Sequence, residues 1–239
     1  TPSNSSAASD VYKRQVKLSE LHALFQPNGR LPVDVALIQV SPPDNQGYCS
    51  LGVTVGYTLE AALDAKMVIA EVNQQMPRTF GRTQLHIDRF DYVVETSRPL
   101  LEYSSPQVSE VDMAVARNVS QLISDGSVLS LGIGTIPEAV VMSLGGKHDL
   151  GIHSGMITDG IITPIEEKVI TNRHKNIDRG KIVTGVAMGT ERLFRLINEN
   201  PEIELQPFSY THNPDIIAQL DNFVCVNSAV EVDLTGQVN

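Results

Sequence analysis

The sequence has no tryptophan and only two cysteines among its 239 residues. Cys49 and Cys225 lie far apart, and no cluster of Cys and His has ligand spacing, so the pattern predicts reduced thiols and no metal site. Lysine and arginine form no cluster, and the net charge of −10 disfavours nucleic acid and anionic membranes as partners. No apolar run reaches membrane-spanning length, and the N-terminus has no apolar signal core. These absences predict a cytoplasmic protein, or one of the mitochondrial matrix if the source is eukaryotic.

Residues 1–15 differ in composition from the rest of the chain. They are rich in Ser, Ala and Asn and lack a periodic apolar face, which predicts disorder. The segment looks like translated adaptor sequence, so we expect a non-native tail and leave it out of the fold prediction. The remaining chain is long enough for one large domain or two modest ones.

Short β-branched runs alternate with helical patterns along the rest of the chain. Strands are predicted at residues 33–40, 67–72, 128–131, 149–154, 181–188, 223–227 and 229–234, and helices at residues 58–65, 109–124 and 192–197. A stretch containing Ser and Pro, residues 96–106, is the best linker candidate between two such groups. The alternation predicts an α/β architecture in two units.

Two of the predicted helices carry more specific expectations. Thr58 is expected to cap the helix that begins there. The helix at residues 109–124 is amphipathic. Its apolar residues recur at helical spacing and are expected to face the core: Val111, Val115, Val119, Leu122 and Ile123.

The most informative local pattern is a strand, a glycine turn and a helix start at residues 127–140. Gly132 and Gly134 lack a Cβ, so the backbone can turn sharply there and a ligand can approach it. Thr135 and Glu138 have the spacing of a capping box, and Pro137 suits a first helical turn. The free amides of such a turn suit an anion or an oxygen that becomes negative during a reaction. The pattern lacks the third glycine of the dinucleotide-binding motif and the Gly-Lys-Ser/Thr ending of a P-loop. A strand followed by Gly-x-Gly is more often a packing turn than a ligand site.

Several separated motifs occur in a consistent order along the chain. They read LGIGTIPEAV, DLGIHSGMITDG, MGTERLF and NSAVEVDLTGQ, with VSPPDNQGYCSLGV and AEVNQQMPRTFG upstream. Together they resemble the acetyl-CoA hydrolase/transferase family, which includes acetate, butyrate and 4-hydroxybutyrate CoA-transferases. The resemblance covers residues 16–239. Full-length members of this family are considerably longer, so the chain is expected to be an internal fragment.

The resemblance implies a fold of the class I CoA-transferase type. This fold has two α/β domains with largely parallel sheets, and both domains are expected to be incomplete here. Residues 16–105 would be the C-terminal part of the first domain. Residues 106–239 would be the N-terminal part of the second, holding the CoA loop and the nucleophile segment.

The resemblance also implies an activity, the transfer of CoA between a short-chain acyl-CoA and acetate or a similar acid. In the family a glutamate forms an acyl anhydride and then a glutamyl-CoA thioester. Gly132, Ile133, Gly134, Thr135 and Ile136 match the CoA-binding and oxyanion segment, with the Ile133 amide as the expected donor. CoA is then a substrate, no cofactor is permanently bound, and a homo-oligomer is left open for the full-length protein.

One position departs from the family pattern. The family segment His-Ser-Glu-Met, which contains the nucleophile, reads His153-Ser154-Gly155-Met156 here. Gly155 has no side chain and cannot form the anhydride or the thioester, so this exact chain is expected to lack the covalent route. Two alternatives stay open beside CoA transfer: acyl-CoA hydrolysis within the same family, and a non-catalytic CoA-binding remnant.

Other polar residues near these motifs are candidates to replace the missing glutamate nucleophile. Glu231, in a predicted alternating strand, is expected to line the pocket rather than act as a nucleophile. His153 is expected to be a hydrogen-bonded packing residue, and Ser154 has no sign of a paired base. Glu138 is interpreted as a helix-cap residue and Asp159 as a turn residue.

Three loops are candidates for the walls of an acyl pocket. The loops at residues 41–52 and 76–81 either face the cleft or are ordinary strand-to-helix connections. The polar stretch at residues 206–214 precedes a predicted helix and could also line the cleft.

Overall fold

The computed structural model describes residues 16–105 and 107–238. The prediction of disorder for residues 1–15 therefore lies outside the described residues. Within those ranges, no helix combines the length and the apolar character that crossing a bilayer requires.

The described residues alternate strands and helices, which confirms the α/β prediction. The strands are β1 (Val35–Val40), β2 (Tyr48–Ser50), β3 (Met67–Asn73), β4 (Phe80–Gly81), β5 (Gln84–His86), β6 (Tyr92–Thr96), β7 (Val128–Leu131), β8 (Gly151–Ile157), β9 (Ile182–Ala187), β10 (Ile203–Leu205) and β11 (Phe223–Val226). The helices are α1 (Leu21–Phe25), α2 (Thr58–Asp64), α3 (Glu110–Gln121), α4 (Thr135–Met142), α5 (Ile162–Glu166), α6 (Glu191–Ile197), α7 (Phe208–Thr211) and α8 (Pro214–Ile217).

A three-stranded parallel sheet forms from the first part of the chain, in the order β1-β3-β6. Ala36, Ile38 and Val40 alternate with more exposed residues along β1 and are buried. Leu59 and Ala62 of α2 belong to the same hydrophobic core. The period-two pattern of β1 thus places one face of this sheet in the core.

A six-stranded parallel sheet holds the second part of the chain, in the order β11-β7-β8-β9-β10-β4. Its central strands are almost fully buried, as expected for a parallel sheet packed on both faces. Strand β4 comes from the first predicted domain, yet it pairs with β10. The amides of Val55 and Gly56 also donate to the carbonyl of Gly185 at 3.0 Å. Segments of the first predicted domain therefore complete the edge of the second sheet.

Several short elements were not predicted. The predicted loop at residues 41–52 contains β2, which pairs antiparallel with β5. The polar stretch at residues 206–214 contains the unpredicted α7, and the helix predicted to follow it is α8. These elements have only three or four residues each, too few for a periodic pattern to be visible in the sequence.

Two helix predictions were wrong in detail. The N-cap of α2 is Tyr57, with no side-chain cap bond, and Thr58 is the first helical residue. In α3, Val111 and Leu122 are 72% and 77% exposed instead of facing the core. Helix α3 packs chiefly against α4, and Ala116 is its only fully buried described residue. Ile123 is buried and Val119 packs against the core, as predicted, whereas Val111, Val115 and Leu122 are exposed.

The strand predicted at residues 229–234 is absent. The segment forms only an isolated bridge between Val232 and Val238, and Val230 and Leu234 are exposed. The Asp233 carboxylate accepts hydrogen bonds from the amides of Thr235 and Gln237, both at distances below 3.0 Å. This local turn offers the backbone an alternative to strand pairing, which explains the error.

The outer face of the β1-β3-β6 sheet exposes apolar side chains. Leu37 is 76% exposed, and Val35, Tyr92 and Val94 are also exposed on the same face. Parallel sheets are normally covered on both faces, and uncovered apolar patches promote association. We therefore expect the chain to self-associate through this face.

A charge at the centre of this face should weaken the association. Leu37→Glu is expected to lower the association constant by at least about tenfold, which corresponds to roughly 1.4 kcal/mol of association free energy. Sedimentation velocity over a concentration series measures this constant. Leu101→Glu is the matched control, because Leu101 is also an exposed leucine but lies outside the sheet. A monomeric unmodified chain, or equal effects of both variants, would contradict the expectation.

Candidate active site

The glycine turn follows β7 at the carboxyl end of the six-stranded sheet. The amide of Gly132 donates to the Val226 carbonyl of β11 at 2.9 Å. A Cβ on Gly132 would lie 2.6 Å from Oδ1 of Asn227, so no larger residue fits without movement. Gly134 has a φ of 115° and is the N-cap of α4. The positive φ of Gly134 favours glycine, whereas the close contact at Gly132 is with the end of the exposed Asn227 side chain, which can move.

The predicted capping box is not formed. Gly134 occupies the N-cap, so Thr135 is the first residue of α4. The Thr135 hydroxyl donates to Asp112 of α3 at 3.0 Å. The carboxylate of Glu138 instead accepts a hydrogen bond from the Thr158 hydroxyl at 3.1 Å. With Gly134 at the N-cap, the third residue of α4 is Pro137, whose side chain cannot complete a capping box, so this prediction was wrong.

A narrow cleft, with a volume of about 10 Å³, lies beside the glycine turn. It is lined by the turn, by α4 and by the residues that end β8. Tyr103 and Ser105 of the predicted linker form another wall, and the Tyr103 amide donates to the Gly189 carbonyl at 2.9 Å. Glu138 is the one carboxylate among the described lining residues. The linker is therefore part of the cleft, which sequence reasoning did not foresee.

Ser154 ties the nucleophile segment to the glycine turn. Its hydroxyl accepts from the Leu131 amide at 3.0 Å and donates to the Leu131 carbonyl at 3.1 Å. Ser154 is almost completely buried, so its hydroxyl holds β8 beside β7. The backbone pairing of these parallel strands includes Leu129 and Ile152, and Gly132 and Gly155 each follow directly after a residue of the Leu131–Ser154 contact.

The space beside Gly155 is occupied by an imidazole. A Cβ on Gly155 would lie 2.5 Å from Cε1 and 2.8 Å from Nε2 of His212. The His212 ring packs edge-on against Phe208 at 5.0 Å, and its Nδ1 is hydrogen-bonded to Oγ1 of Thr211 at 2.9 Å. Burial lowers the pKa of His212 below its usual value. Nothing in the sequence pattern of residues 206–214 indicated this placement.

His153 lies two residues earlier on the same face of β8. It is fully buried, with Tyr210 and Phe223 at ring distances of 5.9 and 6.5 Å. Burial lowers the pKa of His153 to about 4, and the charge of Lys175 adds to that effect. Its packing role agrees with the prediction, but neither ring nitrogen makes a well-formed hydrogen bond within the described residues.

Lys175 is buried, and its charge acts on His153. Nζ of Lys175 donates to the carbonyls of Ile152 and Lys181 at 3.0 and 2.8 Å. Burial lowers its pKa to about 8. The hydroxyl of Tyr210 donates to both carboxylate oxygens of Asp178, and burial raises the pKa of Tyr210 to about 12. These groups connect the start of β9 to α7.

The remaining candidate residues lie outside the cleft or have structural contacts. The Asp159 carboxylate accepts from the Thr190 amide at 3.1 Å and so joins the turn after β8 to the start of α6. Glu231 lies in the exposed segment after β11 and does not line the cleft. The loops at residues 41–52 and 76–81 bind each other, with Oγ of Ser50 and Oγ1 of Thr79 at 3.1 Å. Neither loop lines the cleft beside the glycine turn.

Two family profiles match the chain. The acetyl-CoA hydrolase/transferase N-terminal domain matches residues 10–102, and the C-terminal domain of the same family matches residues 189–239. Together they cover more than half of the chain.

Curated relatives carry related names. The chain is 50% identical over 219 residues to the 4-hydroxybutyrate coenzyme A transferase of Clostridium kluyveri, covering 92% of this chain and 51% of that protein. It is 42% identical over 206 residues to a succinyl-CoA:cyclohexane-1-carboxylate CoA transferase of Geobacter metallireducens, covering 86% and 47%. The chain thus spans about half the length of the curated relatives it matches.

Solved structures share the fold. The 4-hydroxybutyrate CoA-transferase of Porphyromonas gingivalis superposes with a TM-score of 0.90 at 40% identity, covering 94% of this chain and 57% of that one. A citrate lyase alfa subunit from Streptococcus mutans has a TM-score of 0.61 at 16% identity, which supports the fold alone.

Proposed function

The chain belongs to the acetyl-CoA hydrolase/transferase family, and from this membership we propose that it is built to bind acyl-CoA for transfer of CoA to a short-chain carboxylate. CoA acts as a substrate in this proposal, with acetate or a similar acid as the acceptor. The observation that carries it is the adjacency of the glycine turn and position 155 at the carboxyl end of the parallel sheet. That edge is where α/β sheets bind ligands.

The turn and the strand have separate roles in the proposed chemistry. An oxyanion forms when a thioester carbonyl is attacked, and the Ile133 amide at the start of α4 is the proposed donor to it. In the family reaction a glutamate at position 155 would attack that carbonyl and release the CoA thiolate. The Ser154–Leu131 hydrogen bonds hold the two parts in register.

Gly155 removes the nucleophile from this arrangement. We therefore propose that the chain as it stands retains acyl-CoA binding but cannot form the glutamyl-CoA thioester. Glu138 lines the cleft, and one of its carboxylate oxygens accepts a hydrogen bond from Thr158. Restoring the covalent route requires a glutamate at position 155 and room for its side chain.

The test measures binding and exchange separately. Titration calorimetry with CoA is expected to show binding by the unmodified chain. Exchange of CoA between acetyl-CoA and labelled acetate should be absent from that chain and appear in Gly155→Glu/His212→Ala. Gly146→Glu is the matched control, because no atom lies within 4 Å of a Cβ at Gly146. Absence of CoA binding by every variant would refute the proposal.

A further inference from the structure

The carboxylate of Asp112 connects two helix starts beside the glycine turn. Asp112 lies in the first turn of α3, and its Oδ1 accepts a hydrogen bond at 3.0 Å from the hydroxyl of Thr135, the first residue of α4. We infer that Asp112 is a positioning residue for the glycine turn and acts through Thr135. The inference rests on the proposed function and deepens it, because it assigns the placement of the proposed Ile133 donor to a residue that does not line the cleft.

The glycine turn has little side-chain support of its own. Gly134, the N-cap of α4, has no side chain and a φ of 115°, and Ile133 is 44% exposed. At the strand end of the turn, the Gly132 amide is held by the Val226 carbonyl. At the helix end, Thr135 directly follows Gly134, so its hydroxyl is the point at which a side chain holds the turn.

The Asp112 carboxylate is itself held in place by the capping box of α3. Its Oδ2 accepts hydrogen bonds from the amide and the hydroxyl of Ser109 at 2.9 and 2.6 Å, which leaves Oδ1 for Thr135. The Ser109 hydroxyl contributes most to the lowering of the Asp112 pKa, so the carboxylate is ionised at neutral pH. A hydrogen bond to an ionised acceptor is stronger than one between neutral groups. The contact with Thr135 can therefore hold the start of α4 firmly against α3.

This contact bears on the proposed chemistry through the backbone of the turn. An oxyanion donor acts only when its nitrogen lies about 2.7–3.1 Å from the developing negative oxygen. The proposed donor, the Ile133 amide, lies two residues before Thr135, and the intervening Gly134 has the conformational freedom of glycine. A start of α4 that is free to shift would therefore misplace the donor. The loss would affect the transition state more than the binding of the substrate.

The other polar side chains around the turn make different connections. Glu138 of α4 accepts a hydrogen bond from the residue that follows β8, and Ser154 of β8 holds the end of β7. The Asp112–Thr135 hydrogen bond joins α4 to α3 instead. Substitutions of Asp112 and Thr135 therefore change a contact that is separate from the contacts between the turn and the nucleophile segment.

The experiment is a double-mutant cycle of Asp112→Ala and Thr135→Val in the Gly155→Glu/His212→Ala chain. Exchange of CoA between acetyl-CoA and labelled acetate is measured. Each single substitution should lower kcat by about tenfold or more, because a misplacement of about 1 Å can cost about 100-fold. The KM for acetyl-CoA should change by less than about threefold, as when a transition-state interaction is lost. The double variant should be no slower than the slower single variant, because both substitutions remove the same bond.

Nuclear magnetic resonance of the isotopically labelled chain gives a second readout, which requires neither turnover nor CoA. Asp112→Ala should shift the Ile133 amide resonance when Thr135 is present and leave it unchanged in Thr135→Val. Thr135→Ser keeps the hydroxyl and should retain both the exchange rate and the response to Asp112→Ala. Ala114→Gly is the matched control, because it weakens α3 at an exposed position and leaves the Asp112–Thr135 bond in place.

The outcomes separate this inference from the proposed function. Coupled losses of kcat and a shift of the Ile133 resonance that depends on Thr135 support the role of Asp112. Additive losses, an Ile133 resonance that does not respond to Asp112→Ala, or an equal loss in Ala114→Gly overturn it. If the Gly155→Glu/His212→Ala chain shows no exchange, the resonance alone decides. Absence of calorimetric CoA binding overturns the proposed function, whereas the coupling of Asp112 to the turn is measured without CoA.

Discussion

Gly155→Glu on its own is expected to destabilise the chain. The new Cβ would lie 2.5 Å from the His212 ring, closer than packed atoms allow, so the imidazole must be displaced from Phe208 and Thr211. Overpacking of this kind costs about 1–3 kcal/mol of unfolding free energy. Urea denaturation followed by circular dichroism measures the difference.

Removing the ring should cancel most of that cost. In Gly155→Glu/His212→Ala the glutamate enters the space that the imidazole has left. The two substitutions are expected to be non-additive by about 1–3 kcal/mol, as for residues in direct contact. Gly146→Glu introduces the same side chain into open space and should change the unfolding free energy little. Additive effects of the two substitutions would mean that His212 does not occupy the site of the missing side chain.

Sequence patterns predicted those parts of the candidate site whose residues are consecutive in the chain. The buried run of β7, the two glycines and the helix start are consecutive, so backbone propensity and turn chemistry specify them together. The predicted nucleophile segment was found from its motif; its strand, predicted at residues 149–154, begins at Gly151 and extends to Ile157. The contact between Leu131 and Ser154 then follows from parallel pairing of the two strands.

Contacts between distant segments could not be predicted in the same way. His212 reaches Gly155 only because α7 packs across β8 and β9, where Gly155 and Gly185 leave room for Phe208 and His212. Tyr103 reaches the cleft through one backbone hydrogen bond to Gly189. The exposed apolar residues of α3 show the same limit. Helical periodicity identifies the apolar face of a helix, but it does not tell whether another element covers that face.

Raising the pH from 7 to 9.5 is expected to stabilise the fold through Lys175. Its pKa is about 8 when folded and that of an ordinary lysine, 10.5, when unfolded. Between these values the unfolded state binds more protons, so the unfolding free energy rises with pH by up to about 1.4 kcal/mol per unit. The negative charges of Asp178 and Glu204 raise the pKa of Lys175, but burial lowers it by more. Tyr210, with a pKa of about 12, acts in the opposite direction only above pH 10.

Lys175→Met should abolish this slope and destabilise the chain more at pH 9.5 than at pH 7. The variant leaves the carbonyls of Ile152 and Lys181 without their donor, at a cost of about 1–3 kcal/mol each. At pH 7 that cost is partly offset, because the variant no longer buries a charge. Lys147→Met, at an exposed position, is the control and should keep the slope of the unmodified chain. Equal pH dependence in Lys175→Met and the unmodified chain, measured by urea denaturation, would show that Lys175 is not the group responsible.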